Sequence, residues 1–95
     1  MPYLLVRHKV DDYEQWKPIF DHDHGATRAQ RGSKGGWILR NADEPNELVI
    51  LLEWDSLENA RQFANADELR EAMQRAGVVD QPDVYFLEEV DRPRA

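Results

Sequence analysis

The stretch Glu47-Leu48-Val49-Ile50-Leu51-Leu52-Glu53-Trp54 is apolar along both of its faces. Successive side chains of a strand point to opposite sides of the sheet, so Leu48, Ile50, Leu52 and Trp54 fall on one surface and Val49 and Leu51 on the other. A strand of this kind needs cover above and below, and the order of elements around it decides what can supply that cover.

Upstream, residues 3–10 alternate, with Leu4, Val6, His8 and Val10 opposite Tyr3, Leu5, Arg7 and Lys9, which reads as a first strand. Asp11 followed by Glu14 has capping-box spacing and predicts a helix start. At 100° per residue, Tyr13, Trp16, Phe20, His24, Thr27 and Arg31 form one stripe, and Gly32 supplies the end. Pro18 lies inside this helix, removes the amide that would bond Glu14, and predicts a kink or a short first turn. Residues 35–40 read as a second strand, 41–46 as a turn, and 47–54 as the third, so the two should form an antiparallel hairpin.

Downstream, Asp55 with Glu58 repeats the capping-box spacing and opens a helix carrying Leu57, Ala60, Phe63 and Ala64 on one side. Asn65-Ala66-Asp67 interrupts it. Asp67 is expected to cap a further short helix with Leu69, Ala72, Met73 and Ala76 inward, closed by Gly77. Residues 83–90 form a fourth strand, with Val84, Phe86 and Val90 opposite Tyr85 and Leu87, and residues 91–95 read as a frayed tail. The order is βαββαβ: a single α+β domain over residues 1–95, ferredoxin-like, with the second helix split and both helical regions on one face of a four-stranded antiparallel sheet. The other face is left bare, and apolar strands there would expose more hydrocarbon than soluble monomers usually carry. A homodimer pairing sheet to sheet, with a cavity between the sheets, is the expected solution.

Composition narrows the partners. The 95 residues make one thin-cored domain. Nineteen acidic against 12 basic residues give a formal net charge of −7, which argues against nucleic acid and anionic membrane surfaces as partners. Cysteine is absent, so thiolate metal sites and cysteine nucleophiles are excluded. No signal-peptide pattern or spanning apolar run is present, and a cytoplasmic location is expected.

Several residues invite a chemical reading. His24 lies on the helical stripe and His22 about 160° away, so the pair cannot share a metal, although Asp21 with His24 has workable spacing and His8 could approach from the first strand. No metal is expected, because three such ligands would have to converge through the core. His24 is either a hydrogen-bonded histidine at the core edge or a general base, and His8 is either structural or lines a pocket, with burial favouring its neutral form. Glu53 shares its strand face with Val49 and Leu51 and needs a cation, which Arg40 or Arg7 could provide. Trp37, Tyr85 and Phe20 are candidates for a ligand wall, Trp37 foremost because Gly35 and Gly36 leave space beside it. The glycine-rich run 32–36 lacks the spacing and context of a phosphate loop. No dinucleotide fingerprint, haem-attachment motif or Ser-His-Asp order occurs, so no cofactor is expected.

The strand Val6-Arg7-His8-Lys9-Val10 entering a helix through Asp12-Tyr13-Glu14-Gln15-Trp16, the helical Phe20-Asp21-His22-Asp23-His24, the strand end Leu52-Glu53-Trp54 and the later Ala76-Gly77-Val78 resemble the dimeric α/β-barrel superfamily, in particular the small single-domain proteins grouped with antibiotic biosynthesis monooxygenases. The resemblance spans nearly the whole chain. It implies face-to-face pairing of two sheets and a pocket for a small aromatic or apolar molecule. The superfamily includes cofactor-independent oxygenases of aromatic polyketides, haem-degrading enzymes, isomerases and proteins of no known reaction. No residue set here matches the Asn, Trp and His arrangement of the haem-degrading branch. For an oxygenase, the resemblance implies that His24 or His8 removes a proton from a phenol or enol while Arg40 steadies the resulting anion. The competing expectation is a non-catalytic ligand-binding or stress-response dimer.

Overall fold

A computed structural model of the chain describes the backbone of residues 1–94 and the side chains of all of these except 23–27. The elements run β1 (Pro2–Lys9), α1 (Tyr13–Arg31), β2 (Ser33–Asn41), β3 (Glu44–Trp54), α2 (Leu57–Ala64), α3 (Asp67–Arg75) and β4 (Asp83–Glu88). This is the ferredoxin-like α+β order with the second helical region split. The strands form one antiparallel sheet in the order β2-β3-β1-β4.

Register assigns the faces. Leu4 pairs with Leu52, Val6 with Ile50 and His8 with Leu48, and all six are buried beneath the helices. Trp16 of α1, Ala60 and Phe63 of α2 and Ala76 after α3 complete that core. Each large aliphatic side chain removed from water there contributes roughly 1.5–3 kcal/mol. On the opposite face Trp37 pairs with Leu51, Leu39 with Val49, and Leu5 with Tyr85. No helix covers this side, where Trp37 is 52% and Tyr85 56% exposed. The two-sided apolar character of β3 is real.

Boundaries differ from the sequence expectations for local reasons. The cap of α1 is Asp12, whose Oδ1 accepts the Glu14 N–H at 2.9 Å, not Asp11. Asp11 is still tied into extended structure, its N–H donating to the Gly77 carbonyl at 2.8 Å. The same one-residue offset recurs at α2, where Ser56 accepts from the Asn59 N–H. Asp55 donates its own N–H to Gly32 O, and its carboxylate lies over Gly32, where a Cβ would stand 2.3 Å from Oδ1. Gly32, at φ +118°, ends α1 as expected. Asp67 is the first residue of α3 rather than its cap, and Ala66 in the cap position makes no side-chain bond.

Pro18 does not divide α1 into the expected short first turn and a main helix; the helix runs unbroken from Tyr13 to Arg31. The missing bond falls near the helix start, and Trp16 and Phe20 on either side of it stack at 4.9 Å. The hairpin turn is tighter than 41–46, since Asn41 pairs with Glu44 and only Ala42 and Asp43 lie between. A register shift between Arg40 and Asn41 takes up the extra residues, among them Pro45, which has no amide to give a ladder. β4 ends at Glu88, and beyond it Arg92 donates to Glu89 and to the Tyr3 hydroxyl.

Candidate functional site

Between the inner face of the sheet and the helices lies a cavity of about 50 Å³. Val6, His8, Ile50 and Leu52 form its floor, and Trp16, Phe20 and Arg28 of α1 one wall. Phe63 closes it from α2, and Leu69 and Met73 from α3. Those last two side chains, with Val6, also bound an outer groove of about 650 Å³ that runs along Val78, Asp80, Pro82 and Val84.

The α1 wall is a row of π systems set by helical spacing. Tyr13, Trp16 and Phe20 stand at i, i+3 and i+7, so they share one face. Ring centroids are 5.8 Å apart for Tyr13 and Trp16 and 4.9 Å for Trp16 and Phe20. A guanidinium terminates each end: Arg40 lies 4.7 Å from the Tyr13 ring and Arg28 3.7 Å from the Phe20 ring. His8 meets Trp16 edge-on at 5.8 Å.

Two groups make the cavity chemically distinctive. His8 is 2% exposed, and its Nδ1 is buried without a hydrogen-bond partner. Burial pushes its pKa below the usual 6.5, so the ring is neutral near pH 7. A neutral imidazole can take a proton from a bound acid. Arg28 is 9% exposed; one Nη donates to the Phe20 carbonyl at 3.0 Å, and burial pulls its pKa below the ordinary value. No carboxylate among the described residues lies within ion-pair distance of it.

Of the residues singled out in the sequence, His8 and Phe20 line the cavity. The side chain of His24 lies outside the described residues, while His22 is exposed. Arg40 is exposed and engaged with Tyr13 rather than with the cavity. Trp37, Tyr85 and Glu53 all sit on the uncovered face of the sheet, away from this cavity. Glu53 does not meet Arg40, which the pleat sends to the helix side, nor Arg7. Arg7 instead gathers Asp83 at 2.7 Å, Asp80 at 2.9 Å and Glu47 at 3.2 Å on the outer face. The Asp83 and Asp80 bonds raise the Arg7 pKa. Burial works against the charged form of Asp80, but the Lys9 N–H and Arg7 outweigh it and hold the carboxyl below its usual value. The space expected beside Trp37 is also absent at Gly36, where a Cβ would stand 1.9 Å from the Leu51 carbonyl oxygen. Among the described residues, no cluster of three or more His, Asp or Glu side chains is arranged to hold a metal, and no helix is long and apolar enough to cross a membrane.

Arg28 was not singled out in the sequence; it stands about two turns after Phe20, at the edge of that stripe rather than on it. A cation eight residues beyond the last large aromatic side chain of an inward face was the available signal.

No family model matches the chain, and no curated protein matches its sequence. Solved structures do match. A Bordetella bronchiseptica protein provisionally named an antibiotic biosynthesis monooxygenase superposes with a TM-score of 0.73 at 14% identity, over 94% of this chain and 96% of that one. The monooxygenase from the gene ActVA-Orf6 of Streptomyces coelicolor, solved with the ligand nanaomycin D, gives 0.69 at 19% identity, over 99% and 91%. Rv0793 from Mycobacterium tuberculosis gives 0.66 at 15%, over 97% and 98%. The chain has the antibiotic biosynthesis monooxygenase-like fold. Within that fold the coverage is end to end, so the cavity described above lies inside the shared domain and not in an added segment.

Proposed function

We propose that the protein is a cytoplasmic homodimer, paired sheet to sheet as a dimeric α/β barrel, whose subunits bind a small apolar or aromatic molecule between sheet and helices and oxygenate it without a cofactor. The observation that carries the chemistry is His8, an imidazole whose Nδ1 is buried and unpartnered and whose neutral form burial favours, in a cavity lined otherwise by apolar side chains and Arg28. His8 takes the proton of a bound phenol, and the electron-rich ring carbon attacks dioxygen to give a peroxide. Loss of the hydrogen on that carbon breaks the O–O bond, leaving a second carbonyl and releasing water with the proton His8 returns. One oxygen atom enters the substrate and the other leaves as water, so a phenol and O₂ become a quinone and H₂O. Apolar walls keep bulk water from competing for the anion. The Streptomyces coelicolor monooxygenase with nanaomycin D supports a small organic ligand by analogy of fold. Trp37 and Tyr85 are assigned to the contact between the copies.

The cavity volume weighs against turnover of a fused-ring substrate and leaves a second reading, a non-catalytic ligand-binding or stress-response dimer that takes a smaller molecule. About 50 Å³ is small beside ordinary ligand pockets of roughly 300–1,000 Å³. A fused-ring substrate needs more room, and Met73, which with Val6 and Leu69 lines both the cavity and the outer groove, is the unbranched and most adaptable of the three. Oxygen uptake with quinol-type substrates separates the two. The oxygenase predicts uptake above background that is lost in His8→Ala, with His24→Ala tested beside it. Uptake at background, or unchanged when both histidines are replaced, leaves only the binding dimer.

A further inference from the structure

Among the described residues that line the cavity, Arg28 is the one cation, and no described carboxylate lies within ion-pair distance of it. The five N–H donors of its guanidinium make one hydrogen bond among the described residues, to the Phe20 carbonyl. Its Cζ stands over the Phe20 ring 3.7 Å from the centroid, and Trp16 stacks on Phe20 at 4.9 Å. Asp21, the carboxylate whose field reaches Arg28, is exposed and pairs with Lys17. By contrast Arg7, Arg31 and Arg92 each have a carboxylate in reach. A ring contact and one carbonyl bond do not replace the hydration that a guanidinium loses when nine-tenths buried. Such a charge is kept where a ligand completes the pairing. The ring contact and the Phe20 carbonyl bond together restrain the guanidinium, whose planar fork suits a bidentate acceptor.

We infer that the ligand of this cavity is an organic anion, a carboxylate on an apolar body, and that Arg28 is the residue that selects it. The inference deepens the cavity reading above and rests on it. The anion's oxygens meet the free N–H groups of Arg28, and its body lies along Ile50, Leu52 and Phe63. His8, being neutral, adds no second positive charge, so a single anionic group balances the site. Selection must be local, because a chain of net charge −7 does not attract anions from a distance.

Calorimetric titration with benzoate and its neutral isostere benzamide tests this in the wild type, Arg28→Lys and Arg28→Met. Benzoate should bind the wild type about tenfold or more tightly than benzamide, as charge-assisted bonds imply. Arg28→Lys should keep part of that preference and Arg28→Met should lose it while still binding benzamide. Equal binding of the two probes by the wild type overturns the anion inference and leaves the cavity reading standing. Binding of neither overturns both. A benzoate preference that survives in Arg28→Met places the anion elsewhere and also overturns it. Should Arg28→Met fail to fold, the wild-type comparison and the Lys variant still decide.

Discussion

At the scale of single residues, the inner end of β1 carries a histidine that the fold prefers uncharged. His8 has its pKa lowered by burial, so between its folded value and 6.5 the unfolded chain binds a proton that the native one refuses. Stability from this group is therefore complete above pH 6.5 and lost as the pH falls toward the folded value, by at most about 1.4 kcal/mol per pH unit. Urea unfolding at a series of pH values between 7.5 and 5 should show a steeper acid loss in the wild type than in His8→Gln. Parallel curves would mean that the imidazole titrates alike in both states. The inward direction of His8 was legible from strict alternation along the strand. The choice between Arg40 and Arg28 was not, because a cation's partner depends on which helix turn passes over which strand, and the pleat sends Arg40 to Tyr13 while α1 brings Arg28 back over Phe20.

At the scale of elements, strand and helix identities followed from periodicity, the split of the second helix from Asn65-Ala66-Asp67, and the helix ends from Gly32 and Gly77, both at positive φ. Cap positions did not follow. Two acceptors adjoin each helix start, Asp11 and Asp12 or Asp55 and Ser56, and tertiary pairing of Asp11 with Gly77 and of Asp55 with Gly32 decides between them. Gly36 shows the same limit. Its residue type suggested open space, whereas it allows β2 and β3 to approach, since any Cβ there meets the Leu51 carbonyl at 1.9 Å. Gly36→Ala should force the hairpin apart and cost about 2 kcal/mol or more in chemical denaturation. Gly35→Ala, with nothing within 4 Å but φ at +92°, should cost only about 1–2 kcal/mol of backbone strain. A Gly36→Ala protein as stable as the wild type would show that the strands do not pair as described.

For the whole molecule, the governing feature is a four-stranded sheet roofed by helices on one side only. Leu5, Val49 and Leu51 at the centre of the bare side are half-covered by their neighbours, while Trp37, Leu39, Tyr85 and Leu87 stand further into solvent around them. A two-fold contact of this surface with itself would bury the exposed aromatics at its core and leave the Arg7 cluster and Glu89 near its margins. One measurement bears on this most directly: sedimentation velocity of the purified wild-type chain at micromolar concentration, beside Trp37→Asp. The account predicts a wild-type particle of two chains and a variant of one chain that keeps its secondary structure. A wild-type particle of a single chain at that concentration would contradict it.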